Sequence, residues 1–364
     1  MAPSLPGCDF AVVGGGIVGA CVAEELAHAG ATVVVADAGD EPGHATPRAA
    51  GVAVPSLRYL PDPEFYAWLT AGQVRLRADI ARLTPGFGAF SVARPIVRAL
   101  RPADLPVLER FAGDHALGTW VSTEEAAALL PGLGLPADRR YLRSDDGLIV
   151  NGARYLAAAR AAGVAAGVDW RQGIEVLGWD EGLSGVDLRT PAGAIRADQV
   201  VLAAGAWSGG IRFGAAVPVY PLRGQLVRLD PPAVPPCILS SAHYLAPDVD
   251  GRLVVGATEE DAGFDARCTA SGVARLLRFA VAALPALGDA APVDFVAGLR
   301  PASRTGYPVV GRLPGTARVF VASGHGGFGL LSARYTAEGL VAGLTTDDWE
   351  ALPEPMCPSL VASG

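Results

Sequence analysis

The 364-residue sequence contains no lysine; its 29 basic residues are all arginine. That absence excludes pyridoxal-phosphate Schiff-base chemistry, lysine aldolases and phosphate-loop nucleotide hydrolysis, each of which needs an ε-amine. Basic charge is also in the minority. Against 37 acidic residues the formal net charge is -8, which argues against duplex nucleic-acid binding, where a basic face must meet the phosphates. Cysteine is sparse and dispersed. Cys8, Cys21, Cys237, Cys268 and Cys357 form no C-x-x-C pair and have no histidine at zinc spacing, so they read as reduced thiols of a cytoplasmic protein. The five histidines, His28, His44, His115, His243 and His325, are too spread out to suggest a metal site. Long apolar runs are missing too. The longest, Phe10–Ala23, is broken by four glycines and falls short of the ~18 residues that a membrane-spanning helix needs. Met1–Cys8 has neither the basic nor the apolar region of a signal peptide. Gly 46 and Pro 29 together make up roughly a fifth of the chain, below the quarter that marks low complexity. What is present is 51% hydrophobic and 18% charged, enough for a large core, and the length suggests two structural domains.

Along the chain, Phe10–Val13 reads as a buried strand running into Gly14–Gly19. A helix follows, with Val22, Ala23, Leu26 and Ala27 on one face and Gly30 closing it; Thr32–Ala36 is a second strand, ended by Asp37. This is a βαβ unit within about thirty residues. Glu64–Leu83 predicts an amphipathic helix, and Ala153–Ala162 another. Val186–Arg189 and Ala194–Arg196 read as a hairpin, and Gln199–Ala204 as a buried strand ending at Gly205. Gln225–Leu229 and Arg252–Val255 alternate as strands do, Val273–Leu284 is helix-like, and Arg318–Ala322 is a strand leading into Gly324–Gly329 and a last helix to about Leu344. Residues 86–144 give no clear period, and the Pro-rich segment after Thr346 is expected to be loosely ordered.

Gly14-x-Gly16-x-x-Gly19 is weak alone. Here it follows a strand, opens a helix and has an acid, Asp37, 18 positions after its last glycine. The first glycine permits the tight turn, the second lets the backbone approach a pyrophosphate, and the third lets helix and strand pack closely. Asp37 is placed to accept hydrogen bonds from a ribose diol. The motif does not separate NAD from FAD. Two further strand-glycine segments, Val200–Ser208 and Phe320–Gly329, point to a long dinucleotide held at three places. A glycine-rich last helix start would aim its positive end at an electron-rich flavin edge.

These segments, together with Ala45–Gly51, Pro221–Gln225, Tyr244–Pro247, Gly251–Thr258, Gly298–Pro301 and Gly324–Leu330, resemble the glycine oxidase and D-amino-acid oxidase superfamily of FAD enzymes. The resemblance covers Asp9 to about Leu344 and is to the glycine oxidase branch in particular from Tyr244 through Arg300. It implies an α/β fold: a Rossmann-like FAD-binding domain with a discontinuous second α+β substrate domain built on a largely antiparallel sheet. Residues 1–85, 145–210 and 297–350 would form the first, 86–144 and 211–296 the second, and 351–364 a tail. It implies Ile17 and Val18 at the pyrophosphate beside Gly14, Gly16 and Gly19, and Asp37 and Ala38 at the adenosine ribose. Ala45, Thr46, Ala50, Gly51 and Val52 would line the flavin side, and Val176 would meet adenine through its backbone. Ala204, Gly205 and Trp207 belong to the middle segment. Gly324, His325, Gly326, Gly327, Phe328, Gly329, Leu330 and Leu331 would wrap the isoalloxazine. Asp37 replaces the family's Glu, one methylene shorter with the same chemistry. Arg48 stands where some relatives carry a flavin-linked histidine, so FAD is expected to be non-covalent. His44, nearby, reads as an exposed loop histidine.

For the substrate, the resemblance implies a carboxylate held by Arg300, whose guanidinium binds bidentately, and by the Tyr244 hydroxyl, 56 positions upstream. The α-hydrogen would leave as hydride to flavin N5, and the imine would hydrolyse. His243 and His325 are possible tuners of amine protonation. Glycine oxidase has a second arginine in its C-terminal loop; Gly327 stands there in this chain, which suggests a substrate larger than glycine or N-substituted. An N-methyl amino-acid oxidase of the sarcosine oxidase kind would need a lysine that is absent. A dehydrogenase using a quinone or another acceptor, and a flavin subunit of a larger complex, stay open. The expected partners are a small amino acid and oxygen or another electron acceptor, with no nucleic acid, no membrane span and room for a homo-oligomer.

Overall fold

A computed structural model describes residues 7–39, 42–111, 117–134, 138–209 and 217–358. His115 and the two chain ends lie outside the described residues. Cys8–Val13, Val33–Asp37 and Val319–Ser323 are nearly unbroken runs of buried residues, the pattern of strands covered on both faces of a parallel sheet. With Asp169–Gln172 and the inner half of Gly193–Leu202 they form that sheet. Its order is Val309–Arg312, Val319–Ser323, Gly193–Leu202, Cys8–Val13, Val33–Asp37, Asp169–Gln172, parallel except at the first pair. Alternate side chains serve two cores. Val12, Val33 and Val35 face the helices Ile17–His28, Pro63–Phe87, Gly152–Ala165 and Gly329–Thr346, while Val13, Val34 and Ala36 pack with Val186, Leu188 and Ile195.

The hairpin at 186–196 and the buried strand at 199–204, expected as separate elements, share one strand. Gly193–Leu202 pairs antiparallel with Gly185–Thr190 through its outer half, Gly193 to Ala197, and parallel with Cys8–Val13 through its inner half, Ala197 to Leu202. The Pro63–Phe87 helix outruns its predicted end at Leu83, with Asp62 capping its start by accepting from the Phe65 amide at 3.0 Å.

A second sheet runs Ala291–Ser303, Val219–Asp230, Leu253–Gly256, Tyr244–Pro247, Ile238–Ser240, Ile96–Leu100, Arg140–Ser144, Thr119–Val121. Every pair is antiparallel except Ile238–Ser240 with Ile96–Leu100, and the helix Ala270–Ala283 covers it. The stretch 86–144 showed no period because its strands and helices are three to seven residues long, too short for periodicity to emerge.

The segment after Thr346 corrects an expectation: through Pro358 it is packed. Gly339 and Gly343 open a groove on the last helix, where a Cβ at Gly343 would come within 2.4 Å of the Trp349 ring. Trp349 also stacks on Phe320, and Met356 is fully buried.

Candidate functional site

A cavity of about 2000 Å³ lies against both sheets. Of the cofactor residues read from the sequence, all but Gly19, Gly324 and Leu331 line it, as do Tyr244 and Arg300. Those three stand behind the wall. A Cβ on Gly19 would lie 2.0 Å from the Gly14 carbonyl oxygen, so Gly19 serves the close packing of loop and helix. Gly324 turns the chain at φ +77° beside Val309, and Leu331 is a core residue.

At one end, Gly14 turns at φ +101°, and the helix Ile17–His28 begins without a capping side chain or an acid in its first turn. Its positive end therefore faces the cavity without an acid or a capping side chain of its own. Thr46 Oγ1 accepts from the Ile17 amide at 3.3 Å. Asp37, buried at the end of its strand, accepts from the Gly15 amide at 2.5 Å and the Gly39 amide at 3.1 Å. A carboxylate has about four acceptor positions, so it retains capacity for a diol. Arg160 was not singled out in the sequence. From the Gly152–Ala165 helix it donates to the Gly15 carbonyl at 2.7 Å, lies 3.8 Å from Asp37 and covers the Trp170 ring at 5.0 Å. Nothing near residue 160 marks it, because only the packing of that helix on the loop brings it there.

At the other end the Gly324–Gly329 turn is pinned by the Gly326 amide donating to the Pro301 carbonyl at 2.6 Å. A Cβ at Gly326 or Gly327 would meet no atom of the described residues within 4 Å. His325 is buried behind this turn, its Nε2 3.0 Å from Thr336 Oγ1 and its Nδ1 without a partner among the described residues. Burial pushes the imidazole down to about 4. It is therefore held neutral, and a protonated His325 is not part of the site. Its ordinary value is about 6.5, so the unfolded chain takes up a proton that the folded one refuses. Stability is full above pH 6.5 and falls as pH drops toward 4. A His325→Asn variant is expected to lose thermal midpoint less steeply between pH 7 and 4.5 than the parent; equal slopes would refute this.

His243 is likewise engaged, its Nδ1 3.0 Å from the Ala257 carbonyl oxygen and its ring edge-on to Phe279. His44 is a half-buried cavity residue, not an exposed loop histidine, with its ring 5.2 Å from that of Trp207.

Arg300 and Tyr244 both come from the second sheet, on strands separated by Val219–Asp230 and Leu253–Gly256. Arg300, on Ala291–Ser303, is half-buried and donates from Nη1 to the Thr258 carbonyl at 2.9 Å. Its guanidinium lies over Gly224, where a Cβ would be 2.5 Å away. Tyr244 lies over its strand partner Gly256, where a Cβ would be 2.6 Å from the hydroxyl. Burial pushes the phenol up to about 12, with the Arg300 guanidinium pulling the other way and Glu259 adding to the rise. Tyr244 therefore stays a protonated donor next to a fixed cation. Glu259 and Arg58 also line this end. Neither was found from sequence, since each sits in a charged or mixed loop with no motif of its own.

These residues fit a flavin dinucleotide. The chain has a helix start with no acid in its first turn for phosphates, an acid for the ribose, side-chain-free turns at both ends and, among the described residues, a buried imidazole nitrogen without a partner at the far wall. Residues 9–343 match the family described as DAO, FAD dependent oxidoreductase. The chain is 32% identical over 329 residues to the glycine oxidase of Pseudomonas aeruginosa, covering 88% of this chain and 90% of that one. Among solved structures, the glycine oxidase from Geobacillus kaustophilus superposes with TM-score 0.89 at 27% identity, covering 97% of this chain and 98% of that one. The iminodiacetate oxidase from Chelativorans sp. BNC1 superposes with TM-score 0.86 at 28% identity, covering 96% and 98%. The lysine-free chain, with its three glycine segments around one cavity, belongs to the FAD-dependent oxidoreductase family, and FAD is its cofactor.

Proposed function

We propose that the protein oxidises the C–N bond of a small amino acid, either glycine, a D-amino acid or an N-substituted glycine, to an imine that water then hydrolyses. The observation that carries this reading is the pairing of a half-buried guanidinium, Arg300, with a neutral phenol, Tyr244, in the same cavity as the dinucleotide residues. Bound FAD supplies the acceptor for the hydride that leaves the α-carbon. Arg300 takes the carboxylate bidentately, which sets the plane of the substrate, while Tyr244 donates to the same group. The hydrogen bond that the Arg300 guanidinium donates to the Thr258 carbonyl holds it in place before substrate arrives. Chemistry of this kind rests mainly on positioning. The amine gives its proton to solvent, which reaches this end because Glu259 and Arg58 are exposed.

Open space at Gly327 favours a substrate larger than glycine or one carrying an N-substituent, and the likeness to an iminodiacetate oxidase supports the latter. The purified protein is expected to show flavin absorption bands that bleach anaerobically with D-amino acids or N-alkyl glycines faster than with glycine. Strong preference for unsubstituted glycine would defeat the size argument; a flavin that no amino acid bleaches would defeat the reading as a whole. Peroxide yield against dye reduction then separates an oxidase from a dehydrogenase that uses another acceptor.

A further inference from the structure

Arg58 lies in the short turn Leu57–Tyr59, exposed, on the wall of the same cavity as Arg300. Its position is built. Nη2 donates to the Tyr59 hydroxyl at 3.0 Å, and the guanidinium lies 4.9 Å from the Tyr59 ring centroid and 5.7 Å from that of Phe328. Those two rings meet edge-on at 5.2 Å, and buried Phe65 supports both. Some exposed arginines elsewhere pair with acids, among them Arg75 with Glu338, Arg101 with Asp104 and Arg154 with Asp250; Arg58 differs from these in lining the cavity. In a chain with more acids than bases, Arg58 has no carboxylate partner among the described residues, its one polar contact being neutral. It also shares a loop with the substrate site. The turn that bonds to Pro301, next to Arg300, carries Phe328, on which Arg58 rests. Side-chain-free Gly327 lies between the two contacts.

We infer that Arg58 is a second anion anchor, and that the substrate is an amino acid bearing a second carboxylate, on its side chain or on its nitrogen. Arg300 takes one carboxylate and Arg58 the other, across the space left open at Gly327. Glu259, near Tyr244, repels a second carboxylate from that side and directs it to Arg58. A guanidinium held by rings and a hydroxyl loses little freedom on binding, so the anchor is specific. This inference rests on the proposed amino-acid oxidation and narrows it.

The test uses isosteric acid and amide pairs on the FAD-loaded protein: D-glutamate with D-glutamine, and iminodiacetate with its monoamide. The acid of the productive pair is expected to exceed its amide at least tenfold in kcat/KM, mainly through KM. In Arg58→Met the ratio should fall to about one, and Arg58→Lys should restore part of it. Malonate and malonamate, titrated by perturbation of the flavin spectrum, give a reading that needs no turnover. Malonate should bind at least tenfold more tightly to the parent and lose that advantage in Arg58→Met. Equal ratios in the parent, or a preference that survives Arg58→Met, would overturn the second anchor. Loss of all turnover with the malonate preference intact would instead overturn the proposed reaction and leave the anion site standing.

Discussion

Replacing Arg300 with leucine is expected to lower kcat/KM by on the order of 10²–10³, with FAD content unchanged. Truncating one partner of a hydrogen-bonded charge pair costs about 2–5 kcal/mol, because the substrate carboxylate would enter a half-buried site with only the Tyr244 hydroxyl to receive it. Binding loss alone would appear in KM. A fall in kcat as well is expected, because in the proposed reaction the same guanidinium would set the orientation of the α-carbon. Arg300→Lys should recover only part of the loss, since an ammonium cannot make the two parallel bonds. Arg300 contacts protein through one backbone carbonyl, so its removal leaves no buried charge behind and the fold should survive. Steady-state kinetics with flavin quantitation decides the matter, and a loss below tenfold would remove Arg300 from the carboxylate site.

The largest expected effect on stability lies away from the cavity. Arg334, 5% exposed on the last helix, pairs with Glu24 at 2.5 Å, Glu25 at 2.6 Å and Asp79 at 3.2 Å. Glu24 and Asp79 are themselves buried, and the Tyr155 hydroxyl donates to Asp79 at 2.7 Å. Three long helices and a fourth through Tyr155 thus meet at one cation. Arg334→Met should cost about 3–5 kcal/mol, the price of leaving buried carboxylates unpaired. Arg82, 44% exposed at its side chain, can neutralise only part of that charge. Adding Glu24→Gln and Asp79→Asn to Arg334→Met should recover a good part of the loss, because the burden is uncompensated charge and not lost packing. Denaturant unfolding of the three proteins measures this. A single variant within about 1 kcal/mol of the parent, or a triple variant no better than the single, would refute it.

Much of this molecule was legible in one dimension, for reasons that differ by element. The loop Gly14–Gly19 and Asp37 were readable because a tight turn, a helix start and a strand end are all local, and glycine is needed where a Cβ would strike the backbone. The buried strands Cys8–Val13 and Val319–Ser323 announced themselves as apolar runs. That Arg300 and Tyr244 would share one cavity was readable through the order of motifs around them. The strand Gly193–Leu202 was split in two because its halves have different partners, a fact that resides in the sheet. His325 looked like a titrating group; burial behind the glycine turn makes it a neutral one. His44 looked like solvent-facing loop and lies against Trp207.

Taken alone, the residue order decided which chemistry is available: no ε-amine anywhere, a dinucleotide loop, and arginine as the strong side-chain anchor for a carboxylate. Such choices are chemical and need no coordinates. Tertiary structure decided which arginines face the cavity and which are consumed in holding the fold together. Arg300, Arg58, Arg160 and Arg334 are alike as letters. Arg334 is surrounded by buried acids, Arg160 is tied to the Gly15 carbonyl, and Arg300 and Arg58 point their charge into open space. A guanidinium's role is set by the carboxylates and the solvent around it, and these neighbours come from distant parts of the chain.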